Sequence, residues 1–444
     1  MKKIITITLL LFISLTLVGC KDDTPDPIYD DVIFVVLGDE NLSLELGERY
    51  IEKGFLAKDG STDISEFVVI NGDVDINTSG TYEVTYTLDY NEKITTLNRS
   101  VTVKFANSDC DDVTDTNLQV CSKVWTSYLH TVVSLKIYID KDVSIDSTKI
   151  LDDVEEILAL YNNISDKYEL YPGVTNIKTI NDNPTETHVI SEELFDLIEF
   201  SLVHQPEVNN IFNIALGPVI SVWHDYREDC NTKGICNIPT IEELEAQNLY
   251  TDQSKIVLDR ENLTITMDEF MSIDLGGVSK GYISGIIQEY LETYDLNGFL
   301  MNNGESNITV GGSHPTREGG DFLIAITDPT NVLPYYATAF LGDGEQLVTS
   351  GDYQQYFVVE GEIYHHIISG ISLFPDRNCR SVSIITSDPG LADLYSTAIF
   401  LMTIEDGISF VDNIDGLEAI WYAVDGTIHF SENFESDYLG AIYE

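Results

Sequence analysis

Between Leu263 and Tyr294 the hydrophobic period changes across two adjacent glycines, and that change constrains the local fold. Leu263 to Met267 alternates apolar and polar residues, and Phe270 to Leu275 continues the alternation, so the spacing predicts strand. Gly276 and Gly277 follow, then Ser279-Lys280-Gly281. Ile283, Ile286, Ile287, Tyr290, Leu291 and Tyr294 then recur at the spacing of one helix face. A strand that feeds a glycine turn and a helix N-terminus is a ready anion site. The glycines admit close approach, and free N–H groups and the helix dipole face the ligand. Neither G-x-x-x-x-G-K-[ST] nor G-x-G-x-x-G is present. Taken alone, the stretch reads equally as a phosphate-binding turn or as a plain strand-to-helix connection.

The rest of the chain divides by period. Residues 32–105 hold short alternating runs separated by turn residues such as Asn71-Gly72 and Ser79-Gly80, the pattern of a small all-β sandwich. Residues 106–119 are acidic and predicted to be a linker. Residues 120–444 alternate strand patterns (131–139, 298–302, 322–326, 382–385) with helix patterns (150–161, 191–204, 391–402), which predicts an α+β domain with a sizeable core. At the start, Met1-Lys2-Lys3 precedes an apolar run from Ile4 to Val18 and the lipobox Leu17-Val18-Gly19-Cys20. This predicts a signal peptide over 1–19, lipid on Cys20 and an acidic tether over 20–31, placing the protein on the extracytoplasmic side of a membrane to which lipid anchors it.

The formal net charge is −52, with 75 acidic and 23 basic residues. Such a surface repels nucleic acid and anionic headgroups, and no nucleic-acid partner is expected. An anionic ligand would need a cation, and with few lysines a divalent metal is the expected source. Cys110/Cys121 and Cys230/Cys236 are close enough in sequence to close two small disulfide loops in an exported chain, although spacing alone leaves the pairing open; Cys379 is left over.

Three constellations could carry chemistry. Asp393 and Thr397 stand four residues apart in a helix pattern, so their oxygens share a face. They read either as hard ligands for Mg²⁺ or as a helix-capping acid and a core residue. His365-His366 follows a strand-like stretch from Tyr356 to Tyr364 and reads either as a proton-transfer group or as a satisfied structural pair. Lys280 is either a phosphate contact or a surface residue of a helix N-terminus.

The order of motifs resembles the ApbE family of FAD:protein FMN transferases. Asp274 to Tyr282 is similar to the family's "DLGGIAKGYAVD". Thr131 to Tyr138 looks like its opening "MGTxxxIxIY", Ile164 to Asn181 like "IDKxFSRFxxxSEISxLN", and Ile211 to Pro218 with Trp223 like "AFDPTVGPLxxLW". Leu300 to Gly304 corresponds to the strand before the family's "GG(D/S)". Thr349 to Tyr353, His365 to Ile367 and Ala392 to Thr397 look like "TSGDY", "HHI" and "ADALAT". The resemblance covers roughly residues 120–435. Separately, residues 32–105 resemble bacterial Ig-like surface domains, which implies a spacer or an adhesion unit.

The resemblance implies an ApbE-type α+β catalytic domain in which Asp393 and Thr397 bind Mg²⁺ through side chains and Ser279 through its carbonyl. It makes His366 the general base and a cofactor-pocket residue. Tyr171, Ile211, Phe212, Asn213 and Lys280 complete the FAD pocket. The implied reaction moves FMN from FAD to a threonine hydroxyl of an acceptor protein and releases AMP. The alternatives are FAD hydrolysis to FMN and AMP, or a degenerate module that holds flavin or serves as a surface protein without chemistry. The retained Asp393, Thr397 and His366 favour an enzyme, whereas Gly285 in place of the family Asp of "GYAVD" and the altered Ser369 to Pro375 after "HHI" favour the module. Glu305 for the second Gly of "GG", Leu129-His130 for the Met-Gly of "MGT" and Asn213 for the "FD" Asp are further departures in the nucleotide pocket.

Overall fold

A computed structural model describes residues 32–45, 47–78, 80–104, 110–143, 145–209, 211–304 and 306–443. The expected signal peptide, lipobox and tether, and Glu305, lie outside these residues. The described chain falls into two compact units. One gathers residues through Glu40 with 53–72 and 84–99; the other comprises 41–52, 73–83 and 100–444.

Strands between Val32 and Lys104 form a three-stranded and a four-stranded sheet. In the first unit Val32–Val36 pairs antiparallel with Phe55–Asp59, and Ala57, Ile64 and Leu88 make a small core. The all-β expectation for this region holds.

The second unit is organised by a nine-stranded sheet. Its strands, in chain and spatial order alike, are Asp111–Asp112, Leu118–Tyr128, Thr131–Asp140, Gly298–Asn303, Asn307–Gly312, Gln346–Gly351, Cys379–Thr386, Glu418–Ala423 and Ile428–Phe430. Every neighbouring pair is antiparallel. Alternation decides which face each residue buries. Val133, Leu135, Ile137 and Ile139 all turn to one face, and all are fully buried. Adjacent residues Val348 and Leu347, or Ile384 and Ile385, supply two different cores. A sheet buried on both faces needs apolar residues at successive positions, which explains runs such as Val382 to Ile385.

Helices are inserted between the strands; most of them cover the first face, while the fourth and fifth pack on each other in a separate cluster with Phe357. The helices are α1 (Ser147–Ser165), α2 (Ile177–Asp182), α3 (Glu192–His204), α4 (Gly217–Lys233), α5 (Ile241–Asn248), α6 (Ser279–Leu291), α7 (Pro389–Leu401) and α8 (Ile404–Val411). In α1 the Asp146 side chain accepts the Lys149 N–H, and Ile150, Val154, Leu158 and Tyr161 form its buried stripe. α7 is apolar nearly all round and is buried accordingly, with Asp388 capping its start. On the other face, strands Phe322–Thr327, Tyr335–Leu341 and Leu439–Ile442 form a small antiparallel sheet over the second core.

Two expectations are corrected. The acidic stretch 106–119, read as a linker, contributes to the sheet from Asp111 onward: Asp111 and Asp112 pair with Val120 and Gln119, and a disulfide joins Cys110 to Cys121. A short, charged strand is a common way to close a sheet edge, and its composition imitates a linker. Phe270 to Leu275 is not strand. Met271, Ile273 and Leu275 are buried as the alternation requires, but the Ile273 N–H donates to the Asn181 side chain and the Asp274 N–H to the Ile214 carbonyl. The period was right, and the partner is a side chain. The second disulfide is Cys230–Cys236, and Cys379 is a buried free thiol.

α6 and α7 pack closely because Gly281 has no side chain. A Cβ there would meet the Pro389 carbonyl oxygen at 2.2 Å and the Asp393 Cβ at 2.6 Å. Gly281→Ala is therefore an overpacking change and should destabilise the protein by about 1–3 kcal/mol. A thermal unfolding scan should show a clear fall in Tm; an unchanged Tm would mean that the two helices are less tightly apposed than described.

Candidate active site

The α6–α7 contact brings the sequence-predicted metal ligands together. With no Cβ in the way, the Gly281 N–H donates to the Asp393 carboxylate at 3.0 Å. Asp393 is 4% exposed. One turn on, the Thr397 hydroxyl donates to the Asp393 backbone carbonyl at 3.0 Å. Gly277 lies beside it: a Cβ at that position would sit 3.1 Å from the Thr397 hydroxyl and 2.8 Å from the Phe212 ring. The glycine keeps this corner open. Lys280 places its ammonium 4.0 Å from the Asp393 carboxylate and 3.3 Å from the Gly276 carbonyl.

Asp393, Thr397, Gly276, Gly277 and Lys280 line a cleft of about 510 Å³, together with His366, Phe212 and Asn213. Trp223 and Phe357 add an aromatic wall. Trp223 stacks on Tyr364 with centroids 5.7 Å apart and donates its indole N–H to the Leu373 carbonyl at 2.9 Å. That bond braces the Ser369–Pro375 turn, where Leu373 adopts a left-handed conformation (φ 64°).

Other expected contacts lie elsewhere. Tyr171 does not line the cleft; its hydroxyl donates to Asp166 at 2.9 Å and accepts from Asn162 at 3.2 Å. Ile211 lines a separate groove with Glu207 and Tyr395. Asn213 spends its amide on structure, accepting from the Ala215 N–H and donating to the Thr251 carbonyl. Ser279 opens α6, its N–H donating to Leu275, and its side chain is not among those lining the cleft. Gly285, where the family motif has Asp, sits on α6 facing the Pro389 ring at 3.0 Å from an added Cβ, away from the cleft lining.

Both histidines line the cleft, His365 as the last residue of the strand Glu362–His365 and His366 just beyond it. His365 is buried, its ring edge-on to Phe400 at 5.1 Å, with Nε2 3.2 Å from the Asp376 carbonyl. Burial pushes its pKa down to about 4. His366 faces the cleft, and its Nδ1 lies 3.2 Å from the Gln355 carbonyl. A carbonyl only accepts, so Nδ1 carries the proton and Nε2 offers a lone pair. Burial, then the neighbouring His365, Arg227 and Lys280, push its pKa down to about 3.

A half-buried ion pair that the local sequence does not reveal also lines the cleft. The Lys167 ammonium bonds the Asp274 carboxylate. Burial would raise the Asp274 pKa, but Lys167 outweighs it and holds the carboxyl below its ordinary value. Burial likewise works against the Lys167 charge, and Asp274 more than offsets it. The pair is separated by 107 positions, so no local spacing could reveal it. Tyr168, three residues before Tyr171, lines the cleft in its stead.

The oxygen set fits a hard divalent cation. A buried carboxylate and a hydroxyl stand beside an open glycine corner, and Mg²⁺ binds through few protein ligands, retaining positions for water and phosphate. Among the described residues no group of three His, Cys, Asp or Glu forms a metal cage, so the remaining ligands would come from the substrate or solvent.

An antiparallel sheet layered by helices, with a cleft at a glycine turn lined by Asp393 and Thr397, defines an α+β domain. The sequence profile of the ApbE family matches residues 129–421, and the chain belongs to that family. Residues 34–103 match the bacterial surface protein Ig-like domain. The FAD:protein FMN transferase of Klebsiella pneumoniae is 25% identical over 52% of this chain and 69% of its own length. The crystal structure of the Thermotoga maritima ApbE protein superposes with a TM-score of 0.61 at 25% identity, covering 71% of this chain and 98% of that one. The Pseudomonas stutzeri flavinyl transferase ApbE, in its apo form, shares the fold, with a TM-score of 0.61 at 18% identity over 73% of this chain and 98% of that one.

The depressed pKa of His366 gives a pH prediction. Its folded value, about 3, lies below the ordinary 6.5. The unfolded chain therefore takes up a proton that the folded one resists, and this contribution to stability is complete above 6.5 and lost as pH falls towards 3. In the ligand-free protein, NMR titration should find the His366 imidazole still neutral at pH 5, and a midpoint near 6.5 would contradict the described environment.

Proposed function

We propose that this chain is a Mg²⁺-dependent flavin transferase that moves FMN from FAD to a threonine hydroxyl of an acceptor protein and releases AMP. The observation that carries the reading is the joining of Asp393, Thr397 and the glycine turn in one cleft with a neutral His366. Curated relatives named FAD:protein FMN transferase support the activity class.

Asp393 and Thr397, with the Ser279 carbonyl, would hold Mg²⁺. The ion supplies charge neutralisation at the FAD diphosphate. Lys280 adds a further cation in the cleft, which matters on a chain of net charge −52. The aromatic side chains that line the cleft offer contacts to the substrate's ring systems. His366 Nε2 takes the proton from the threonine hydroxyl. The threonine oxygen then bonds the FMN phosphorus, the phosphoanhydride bond to AMP breaks, and AMP leaves with the electron pair. The phosphoester remains on the acceptor. The Gln355 carbonyl fixes the tautomer that makes His366 a base from Nε2.

The test is incubation with FAD, Mg²⁺ and a threonine-bearing acceptor, following AMP and acceptor-bound flavin fluorescence. His366→Ala should slow transfer by roughly 10²–10⁴-fold, the usual contribution of a positioned base, with FAD affinity little changed. AMP release without acceptor labelling would favour the hydrolase. Neither product, with FAD bound, would favour the non-catalytic module.

We further propose that the Ig-like region is a spacer and that the protein is a membrane-anchored lipoprotein, through the Cys20 lipobox. Among the described residues no helix is long and apolar enough to cross a membrane. A chain beginning at Ser108, which keeps Cys110 and the Asp111–Asp112 strand, should retain full transfer activity. A soluble, folded but inactive product would contradict the spacer role.

A further inference from the structure

We propose that His130 is a specificity-determining residue that holds the isoalloxazine ring of FAD in the cleft; the proposal rests on the flavin-transfer reading above. Leu129 and His130 form the two-residue turn between Leu118–Tyr128 and Thr131–Asp140. Both are left-handed, with φ of 55° and 53°. A two-residue hairpin turn of this kind favours Asn or Gly, because a Cβ crowds the backbone there. Strain of this sort persists where surrounding structure enforces it, and it clusters at ligand sites.

The enforcing contacts are present. The Asn162 side chain accepts the Leu129 N–H at 2.8 Å, and its amide donates to Tyr171, which in turn bonds Asp166. Asp166 also accepts the Tyr168 N–H at 2.7 Å. One network thus fixes both the strained turn and the start of the loop that carries Tyr168.

The fold gains little from the imidazole itself. Its side chain is 67% exposed and stands 3.8 Å from the buried Asp166 carboxylate, beyond hydrogen-bond distance, and that carboxylate already accepts from the Tyr168 and Glu169 N–H groups and the Tyr171 hydroxyl. What the turn delivers is a ring at the cleft. His130 stands edge-on to Tyr168, with centroids 5.9 Å apart and planes at 90°. His224 of α4 flanks Tyr168 from another side at 5.8 Å, and the Lys167 ammonium is 5.0 Å from the Tyr168 ring. All four line the same cleft as Asp393 and Thr397. Exposed rings and buried oxygen groups that line one cleft match a ring system joined to a diphosphate.

The two roles of His130 predict opposite changes in one variant. His130→Gly relieves the turn, so Tm should rise by about 2–4 °C. The same change removes a ring face, so the Kd for FAD, followed by flavin fluorescence on the full chain with Mg²⁺ present, should rise roughly 3- to 10-fold. His130→Asn should behave likewise, since Asn tolerates the left-handed region without offering a ring. His130→Phe should keep the Kd within about 2-fold of the wild type. An unchanged Kd in His130→Gly, or a fall in both stability and affinity, would overturn the proposal while leaving the flavin-transfer reading intact. A wild-type protein that binds no FAD would overturn both.

Discussion

The site depends on one close approach. Gly281 lets α6 reach α7, and only then can its backbone N–H meet the buried Asp393 carboxylate. A carboxylate in a helix interior, on a face packed against another helix, is costly unless it is hydrogen-bonded. The Gly281 N–H supplies that bond, and the nearby Lys280 ammonium supplies partial charge balance. The same contact sets Gly276–Gly277 against Thr397, so the corner that would hold a cation and a diphosphate is a by-product of helix packing. Its oxygen ligands need no loop to close over them.

Charge placement follows from the composition. On a chain with 75 acidic and 23 basic residues, Lys167, Lys280 and Arg227 line a single cleft. Lys167 is committed to Asp274, which leaves Lys280 and Arg227 to shape the potential around His366. Both push the imidazole towards its neutral form. The cations that line the cleft thereby favour the unprotonated imidazole.

Much of this was legible in the sequence. The α6 and α7 patterns placed Lys280, Asp393 and Thr397 on helices that meet at one cleft, whereas alternation did not separate His366 from His365, since both line it. Proximity suggested the two cysteine pairs that the structure joins, although spacing alone left the pairing open. Long-range pairing was not legible. Asp274 lies in the quoted glycine motif, yet nothing local marks Lys167 as its partner. Tyr168 and Tyr171 both occupy an irregular segment without a period, so the ring facing the cleft could not be chosen by spacing. Phe270 to Leu275 shows the remaining gap. Its alternation reports burial on one side faithfully, but Asn181 and Ile214 take the hydrogen bonds that a neighbouring strand would have taken. The departure at Gly285 reads differently in three dimensions, because that position faces Pro389 and not the cleft.

The central claim is that the α6–α7 corner couples FAD to a divalent cation. Calorimetric titration of FAD, with and without Mg²⁺, tests it in the wild type and in Asp393→Asn, which keeps side-chain size and removes the charge. The account predicts that Mg²⁺ tightens FAD binding in the wild type by at least about tenfold, or ~1.4 kcal/mol, and that the tightening disappears in the variant. Equal Mg²⁺ dependence in the two proteins would contradict it.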